Sequence, residues 1–329
     1  MSKRETPSHK TTVGGQALIE GIMMRGVSMG AMAVRTKSGE IDVEQWKLPN
    51  RKWYQKCPFV RGIFNFVLQL KDGMTYMNKS MEKSGYLEDE EEPSKFEKWL
   101  GDKFGKSLTA VISVIGGIIG VGLALVLFLF VPTWIFTGVQ ALFGDTDISP
   151  FRSLFEGIIK IIIYIAYLWL TSLLSDIRRT YEYHGAEHKT IATFEAGEEL
   201  NVENVRRHTR FHPRCGTSFI FLVLAISILV YSVVPINSEL FTEWLGVSKF
   251  IADLLRVVCK LILLPVVVGI GYEVIRIAGR YDNIATRIVS APGMAMQRLT
   301  TREPDDGQIE CAIAAITPVL PKEGEDDKW

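Results

Sequence analysis

Residues 108–131 read LTAVISVIGGIIGVGLALVLFLFV, an uncharged run rich in Ile, Val, Leu and Gly. At about 1.5 Å of rise per residue, a helix of this length crosses the roughly 30 Å of hydrocarbon in a bilayer. The run is followed by Pro132, a helix breaker, and Trp134, an aromatic residue of the kind enriched at membrane interfaces. The stretch therefore predicts a transmembrane helix that ends at about residue 131.

Three further apolar stretches follow at residues 153–174, 217–235 and 257–275. Any one of them could be a buried helix of a large soluble protein, but such helices are rarely this long without a charge. The fourth carries Lys260 and Glu273 near its ends, where long side chains can extend to the polar interfaces. The sequence predicts an α-helical multi-pass membrane protein with about four transmembrane helices in a domain at residues 106–278.

Composition excludes two classes of protein. The 329 residues are 47% hydrophobic, which argues against intrinsic disorder. The 37 basic side chains balance 37 acidic ones, and a general nucleic-acid binder needs a basic excess, so we expect no nucleic-acid partner. The four cysteines are widely spaced and form no disulfide framework, which is typical of a reducing compartment.

The loops differ in charge, and this difference predicts the topology. The loop at residues 175–216 holds seven basic side chains, whereas the loops after the first and third spans together hold three, Arg152, Lys249 and Arg256. Because cytoplasmic loops are the basic ones, we expect this loop and both termini on the cytoplasmic side of a bacterial inner membrane. The basic residues of the loop are Arg178, Arg179, Lys189, Arg206, Arg207, Arg210 and Arg214.

Residues 1–105 predict a small cytoplasmic α+β domain. Residues 31–48 alternate apolar and polar side chains around Ser38-Gly39, which is typical of a β-hairpin. Residues 58–81 place their apolar side chains mainly on one helical face, and packing within the domain is favoured over packing on the membrane. An acidic linker at residues 88–92 would end the domain. The C-terminal segment, residues 279–329, is predicted to be cytoplasmic, with a turn and a short helix in REPDDGQIECAIAAI.

The residues most suited to chemistry lie in the basic loop, where residues 184–188 read HGAEH. On a helix, His184 and His188 stand one turn apart, so both imidazoles could reach one metal ion. Glu187 lies toward the same face and could accept a proton from a water molecule on that ion. The motif is short, and a surface helix in which Glu187 pairs with a histidine explains it too.

A second cluster lies directly before the third span, in RRHTRFHPRCGTSF. His212 and Cys215 are two residues apart in a turn, because Pro213 disfavours helical geometry at His212. An imidazole and a thiolate at this spacing could share an ion with the first cluster if the second and third spans are neighbours. The alternative is that both residues pack at the membrane edge. Imidazoles with a thiolate favour Zn²⁺ over magnesium or calcium.

Three other features of the sequence bear on function. The glycines of residues 14–26, GGQALIEGIMMRG, could bring backbone N–H groups to an anion with Arg25 beside them, but tight turns around a buried strand are favoured. Glu156 and Lys160 are spaced to pair across one helical turn. Because they lie near the outer end of the second span, these charges give little support to a transporter function. Glu273 is a further candidate ligand from the fourth span.

Four blocks of sequence resemble the YqhQ-like bacterial membrane proteins, an uncharacterised family commonly described as predicted metal-dependent enzymes. The resemblance implies a multi-pass inner membrane protein with a metal at His184 and His188, and it supplies no substrate. The blocks are GGQALIEGIMMRG (14–26), YHGAEHKTI (183–191), HPRCGTSF (212–219) and PGMAMQRLTTREPDD (292–306), with LPVVVGIGYEVI in the fourth span.

Two functions remain in competition. The first is a zinc-dependent membrane enzyme, most plausibly a hydrolase, with its site at the cytoplasmic face and Glu187 as its base. His184 and His188 would bind the ion, and His212, Cys215 or both would complete the shell. The second is a non-catalytic assembly or docking factor with a structural zinc. The expected partners are membrane lipid and, in the second interpretation, a cytoplasmic or membrane protein.

Overall fold

The computed structural model is mostly helical, with one four-stranded antiparallel sheet near the N-terminus. It describes residues 9–50, 52–86, 108–144, 146–234, 236, 238–322 and 324–328, so the predicted acidic linker lies outside the described residues. The strands follow chain order across the sheet: β1 Gly14–Leu18, β2 Gly21–Arg25, β3 Met29–Arg35 and β4 Ile41–Lys47. The hairpin predicted around Ser38-Gly39 is confirmed as β3 and β4, and Gly39 supplies the turn with a φ of +86°.

The part of the chain that the structure describes contains eleven α-helices. Those before the helix that carries the HGAEH motif are α1 Val60–Lys83, α2 Leu108–Leu125, α3 Val131–Leu142 and α4 Arg152–Thr171. The others are α5 Ser175–Ala196, α6 Val202–Arg207, α7 Gly216–Val233, α8 Ser238–Leu245, α9 Lys249–Arg280, α10 Ile284–Thr300 and α11 Asp306–Ile316.

Four helical segments are long and apolar enough to cross a membrane, as predicted. They are Ile115–Leu142, Ser149–Thr171, Gly216–Val233 and Lys249–Arg280. The predicted end at Pro132 is wrong, because a π-helical turn at Val126–Phe130 joins α2 to α3 and Pro132 stands in the first turn of α3. Proline lacks an N–H group, so it is tolerated where the regular hydrogen-bond ladder is already interrupted.

The chain forms two compact units. One contains Met1–Leu87, Tyr167–Val223 and Pro265–Trp329, and the other contains Glu88–Ala166 and Leu224–Leu264. In the first unit the sheet separates two groups of side chains. Ile22 and Ala33 pack with α5 and α11 on one face, and Met23 and Met32 pack with α1 on the other. The strongly buried face carries α5, the helix of the HGAEH motif.

The second unit contains a buried ion cluster centred on Glu156. One carboxylate oxygen accepts hydrogen bonds from Arg152 and Thr133, and the other accepts from Arg256 and Lys260 at 2.7 Å each. The predicted pair with Lys160 is therefore wrong, because other cations saturate Glu156. The Lys160 ammonium instead lies 5.6 Å from the centre of the Tyr231 ring. Lys260, expected to extend to an interface, is buried for the same reason.

Candidate metal centre

Helix α5 presents the two histidines of the HGAEH motif on one face. It runs from Ser175 to Ala196, and Gly197 ends it in the left-handed conformation with a φ of +73°. The rings of His184 and His188 have centroids 4.4 Å apart, as expected for side chains one helical turn apart. The helix thus places two imidazoles side by side inside the first unit.

Cys215 joins this pair from the residue before α7. Its Sγ atom lies 3.2 Å from Nε2 of His184, and the ligand atoms of His184, His188 and Cys215 all lie within 4.8 Å of one another. His188 and Cys215 are buried and His184 is partly buried. The structure therefore brings together three of the four predicted ligands, contributed by two segments of the chain.

Backbone carbonyls orient both imidazoles. Nδ1 of His184 donates to the carbonyl oxygen of Thr300 at 2.8 Å, and Nδ1 of His188 donates to the carbonyl oxygen of Arg210 at 2.6 Å. A proton on Nδ1 leaves the lone pair on Nε2, the atom that faces the cluster. Metal-binding histidines usually have an outer partner of this kind.

The thiol of Cys215 and its histidines perturb one another. Burial opposes ionisation of the thiol, but the neighbouring His184 and His188 outweigh it and hold the pKa of Cys215 well below its usual value. Burial also opposes a charge on His184, and the opposing effect of Cys215 raises the pKa of His184 to about 9. The sulfur is therefore poised as a thiolate, the form in which cysteine binds metals.

Glu187 lies beside this group and is only 5% exposed. One carboxylate oxygen, Oε1, accepts a hydrogen bond from the backbone N–H of Gly15 at 3.2 Å. The other, Oε2, is buried and has no hydrogen-bond partner among the described residues. Burial raises the pKa of Glu187, and the charges of His184 and His188 oppose this. An acceptor left unsatisfied in a protein interior carries a free-energy cost, and such groups often mark functional sites.

The glycine-rich motif of residues 14–26 is the β1–β2 hairpin, in which Gly14, Gly15 and Gly21 lie within the strands and not in the turn. A Cβ atom on Gly15 would stand 2.5 Å from the carbonyl oxygen of Met23 and 3.2 Å from Cδ of Glu187. Gly15 therefore brings its N–H group to an anion, and that anion is the Glu187 carboxylate. Arg25 does not take part, since it pairs with Asp72 at 2.5 Å.

Gly185, inside the HGAEH motif, permits a second close approach. A Cβ atom there would stand 1.9 Å from the carbonyl oxygen of Arg302, which is backbone and has little freedom to move. The neighbouring N–H group of Arg302 donates to the carbonyl oxygen of Tyr181 at 2.8 Å. The glycine thus lets α5 lie against the segment after α10 that supplies the Thr300 carbonyl to His184.

His212, the fourth predicted ligand, lies next to the group of three. Its ring centroid is 5.5 Å from that of His188, but its Nε2 atom lies 3.2 Å from Nη2 of Arg214 and 3.8 Å from a carboxylate oxygen of Glu195. Burial lowers the pKa of His212 to about 4, with Arg214 adding to the effect and Glu195 opposing it. Its role as a ligand stays a prediction.

The other candidates have different partners. The carboxylate of Glu273 accepts hydrogen bonds from Arg61 and from the backbone N–H of Phe59, so this residue is committed outside the group of three. His208 lies 3.3 Å from Glu198, and His9 lies 3.2 Å from Asp327. Among the described residues, only His184, His188 and Cys215 form a group of potential metal ligands.

Sequence reasoning missed the residues that support the site. Gln297 accepts a hydrogen bond from the N–H of His212 and donates to its carbonyl oxygen, and so fixes the turn before Cys215. Thr300 and Gly15 contact the motif from opposite ends of the chain. They lie in the GGQALIEGIMMRG and PGMAMQRLTTREPDD blocks of the family resemblance, which is the signal that pointed to them.

The donor set fits zinc by its chemistry. Two imidazole nitrogens and a thiolate are the ligands that zinc prefers, whereas magnesium and calcium take oxygen ligands. His184, His188 and Cys215 would hold the ion, which would supply a Lewis acid there, and Glu187 has a buried carboxylate oxygen, Oε2, without a hydrogen-bond donor among the described residues.

Comparisons with known proteins agree with the family resemblance. A family described as protein of unknown function (DUF1385) matches residues 57–322. The chain is 31% identical over 326 residues to the uncharacterized protein YqhQ of Bacillus subtilis (strain 168), a match that covers 97% of this chain and 95% of that protein. No solved structure matches.

Proposed function

This chain belongs to the DUF1385 family of proteins of unknown function, and we propose that it is a zinc-dependent hydrolase of a bacterial inner membrane, with its site at the cytoplasmic face. Four apolar helices support the membrane placement. The basic residues of α5, α6 and the turn before α7 support a cytoplasmic position for the site and for both termini.

His184, His188 and Cys215 would hold the zinc ion, each through the atom that faces the cluster. The carbonyl oxygens of Thr300 and Arg210 accept a hydrogen bond from Nδ1 of each histidine, so that zinc would bind at Nε2. Because the pKa of His184 is raised to about 9, zinc binding there would release a proton from Nε2. When bound, the ion would supply a Lewis acid at this position. The lowered pKa of Cys215 favours the thiolate, the form that zinc requires.

The observation that carries the hydrolase proposal is the unpartnered Oε2 atom of Glu187. A carboxylate oxygen that is buried, that has no hydrogen-bond donor among the described residues, and whose carboxyl group is electrostatically coupled to His184, His188 and Cys215 is suited to accept a proton from an attacking water molecule. Burial raises the pKa of Glu187, which strengthens it as a base, and the Gly15 N–H fixes its other oxygen.

The competing proposal is a structural zinc in an assembly or docking factor. It requires a fourth protein ligand, for which His212 is the nearest histidine. A site closed by four ligands has no position for substrate, and Glu187 then has no catalytic task. The two proposals therefore differ in what Glu187→Gln does to cells.

The proposed topology is tested by labelling single cysteines in intact cells. Cysteines are introduced at Thr146, between the first two candidate spans, and at Glu198, after α5, in a background with Cys57→Ser. A membrane-impermeant thiol reagent should label position 146 from outside and position 198 only after lysis. External labelling of position 198 would contradict the cytoplasmic placement of the site.

The chemistry is tested with Glu187→Gln, His184→Ala and the control Glu203→Gln, which changes an exposed glutamate of α6. Each variant is purified for zinc analysis and tested for complementation of a deletion strain. For a hydrolase, Glu187→Gln keeps the zinc and loses function, because removal of a general base typically costs ~10²–10⁴-fold in rate. His184→Ala loses both, and Glu203→Gln loses neither.

The other outcomes separate the alternatives. Full complementation by Glu187→Gln with zinc retained favours the structural site. Loss of zinc from Glu187→Gln would make Glu187 a ligand rather than a base. A wild-type protein without zinc, purified from zinc-replete cells, would overturn both proposals for the metal.

A further inference from the structure

A cleft of about 250 Å³ lies at the C-terminal end of α9, apart from the candidate metal centre. Its lining is basic and amphipathic: Arg61, Glu273, Arg276, Ile277, Arg280 and Tyr281. Arg61 comes from α1, and the other residues form a single stripe of α9 and its end, at the helical spacings of three and four. No residue of this cleft belongs to the group formed by His184, His188 and Cys215.

The charge of the cleft is positive. The lining holds three arginines, Arg61, Arg276 and Arg280, against one acidic side chain, Glu273, which forms a two-pronged ion pair with Arg61. The end of a helix carries unpaired carbonyl groups that repel anions. Here Lys10 offsets that effect, because its ammonium donates to the carbonyl oxygens of Gly279 and Arg280 at 2.8 and 3.3 Å.

The border of the cleft is apolar and open to the surroundings. Ile277 is 54% exposed and Tyr281 is 53% exposed, and the stripe continues on α10 with Ile284 at 78% and Ile288 at 67%. Exposed apolar side chains in a row beside arginines indicate a partner with an apolar part as well as an anionic part.

The position along α9 indicates which partner this is. The 32 residues of α9 extend to about 48 Å at 1.5 Å per residue, longer than the roughly 30 Å of hydrocarbon in a bilayer. Its last two turns, which carry Arg276 and Arg280, therefore fall at the level of the lipid headgroups when the apolar part spans the membrane. A tyrosine at the same level is typical of the interface.

We propose that this cleft binds the phosphate of an anionic phospholipid, with the guanidinium groups of Arg276 and Arg280 as its donors and Ile277 and Tyr281 against the glycerol and upper acyl chain. Guanidinium groups match the oxygens of a phosphate in pairs. Basic clefts at the cytoplasmic ends of transmembrane helices are suited to such headgroups. The proposal rests on the membrane placement proposed above and does not depend on the metal.

The test is lipid binding by the full-length protein in detergent, followed by native mass spectrometry. Phosphatidylglycerol and the zwitterionic phosphatidylcholine are titrated separately against the wild type, R276Q/R280Q and R287Q/R298Q. The last variant is the matched control, because it removes the same charge from the exposed arginines of the neighbouring helix α10. Inorganic phosphate at millimolar concentration is added as a competitor in a third arm.

We expect the wild type and R287Q/R298Q to prefer phosphatidylglycerol, and R276Q/R280Q to bind it about tenfold or more weakly. Equal loss in both variants would show a general effect of surface charge and overturn the site, as would unchanged binding in R276Q/R280Q. Displacement of the lipid by inorganic phosphate would overturn a lipid site in favour of a free-anion site.

Two further readouts keep this test apart from the earlier proposals. An unaltered elution volume and zinc content in R276Q/R280Q show that the fold is intact, so that weaker lipid binding reports on the cleft. Absence of the wild-type protein from the membrane fraction would contradict the membrane placement, whereas absence of zinc would contradict only the proposed chemistry.

Discussion

Each of the two compact units contains a buried polar cluster around a glutamate, and the two glutamates differ in their partners. Glu156 in the second unit receives four hydrogen bonds, three of them from cations. Glu187 in the first unit receives one described hydrogen bond, from a backbone N–H, and its Oε2 atom receives none among the described residues. Both side chains are at most 5% exposed, so burial does not distinguish them.

The difference distinguishes a carboxylate that links helices from one that has an oxygen without a described hydrogen-bond donor. A saturated buried ion cluster joins its helices, and breaking it is costly. An unsatisfied buried acceptor lowers stability, and proteins keep such groups where function needs them. The cluster of Glu156 joins α3, α4 and α9, whereas the surroundings of Glu187, which is electrostatically coupled to the candidate ligands, leave one of its oxygens without a described hydrogen-bond donor.

Substitution of Glu156 by Gln should have the largest effect. The amide leaves Arg256 and Lys260 buried without a counter-ion, and removal of one partner from a buried pair costs about 3–5 kcal/mol. Thermal unfolding in detergent and the yield from membranes measure this. The control Glu243→Gln changes an exposed carboxylate of α8 and should unfold like the wild type. Equal unfolding temperatures for Glu156→Gln and the wild type would contradict the structural role.

Substitution of Gly185 by Ala should have the next largest effect, because the new methyl group clashes with the carbonyl oxygen of Arg302. Overpacking of this kind costs about 1–3 kcal/mol, and here it also moves the segment that carries Thr300. We expect a lower unfolding temperature and reduced zinc content. Gly138→Ala is the matched control, since nothing lies within 4 Å of its added Cβ. A wild-type zinc content in Gly185→Ala would show that α5 tolerates displacement.

Replacement of Cys215 and of His212 should separate a ligand from its neighbour. Loss of an outer partner of a metal site typically weakens metal binding about 10–100-fold. Cys215→Ala should therefore weaken zinc binding by more than this range, and His212→Ala by an amount within or below it. Arg214 and Glu195 remain paired with each other when His212 is removed. Zinc affinity is measured by competition with a chromophoric chelator. The reverse order would move His212 into the metal shell and favour the structural site.

Substitution of Glu187 by Gln should have the smallest effect on stability. The change is chemically the same as at Glu156, but it removes a charge that no described cation pairs with and that burial disfavours. We expect the free energy of unfolding to remain within about 1 kcal/mol of the wild type or to rise. Destabilisation as large as that of Glu156→Gln would show that Glu187 is a structural member of its cluster, and the contrast between the two units would fail.

Local patterns predicted the elements well. The long apolar stretches predicted four spans, the alternation around Ser38-Gly39 predicted β3 and β4, and the turn in REPDDGQIECAIAAI predicted the short helix α11. Span limits were less accurate where tertiary contacts decide them. The π-helical turn accommodates Pro132, and Glu156 buries Arg256 and Lys260 within α9.

The site could be predicted only where its residues are close in sequence. The spacing of His184 and His188 predicted their side-by-side placement, and the HPRC turn suggested Cys215. The contacts of Gly15 with Glu187 and of Thr300 with His184 join residues more than 100 positions apart, so no local period reveals them. Likewise, the spacing of Glu156 and Lys160 predicted a pair that two arginines and Lys260 displace.

The hairpin at the start of the chain and the segment after α10 meet at α5, and this has a consequence for synthesis. Thr11 forms a β-bridge with Lys328, and Thr12 donates to the carbonyl oxygen of Asp327 at 2.6 Å. On a ribosome, the Gly15 end of the pocket emerges first, and the Thr300 carbonyl follows only after the last apolar helix. Nascent chains therefore acquire the complete pocket only after residues 15–300 have been synthesised, so zinc would bind after all four candidate spans have been made.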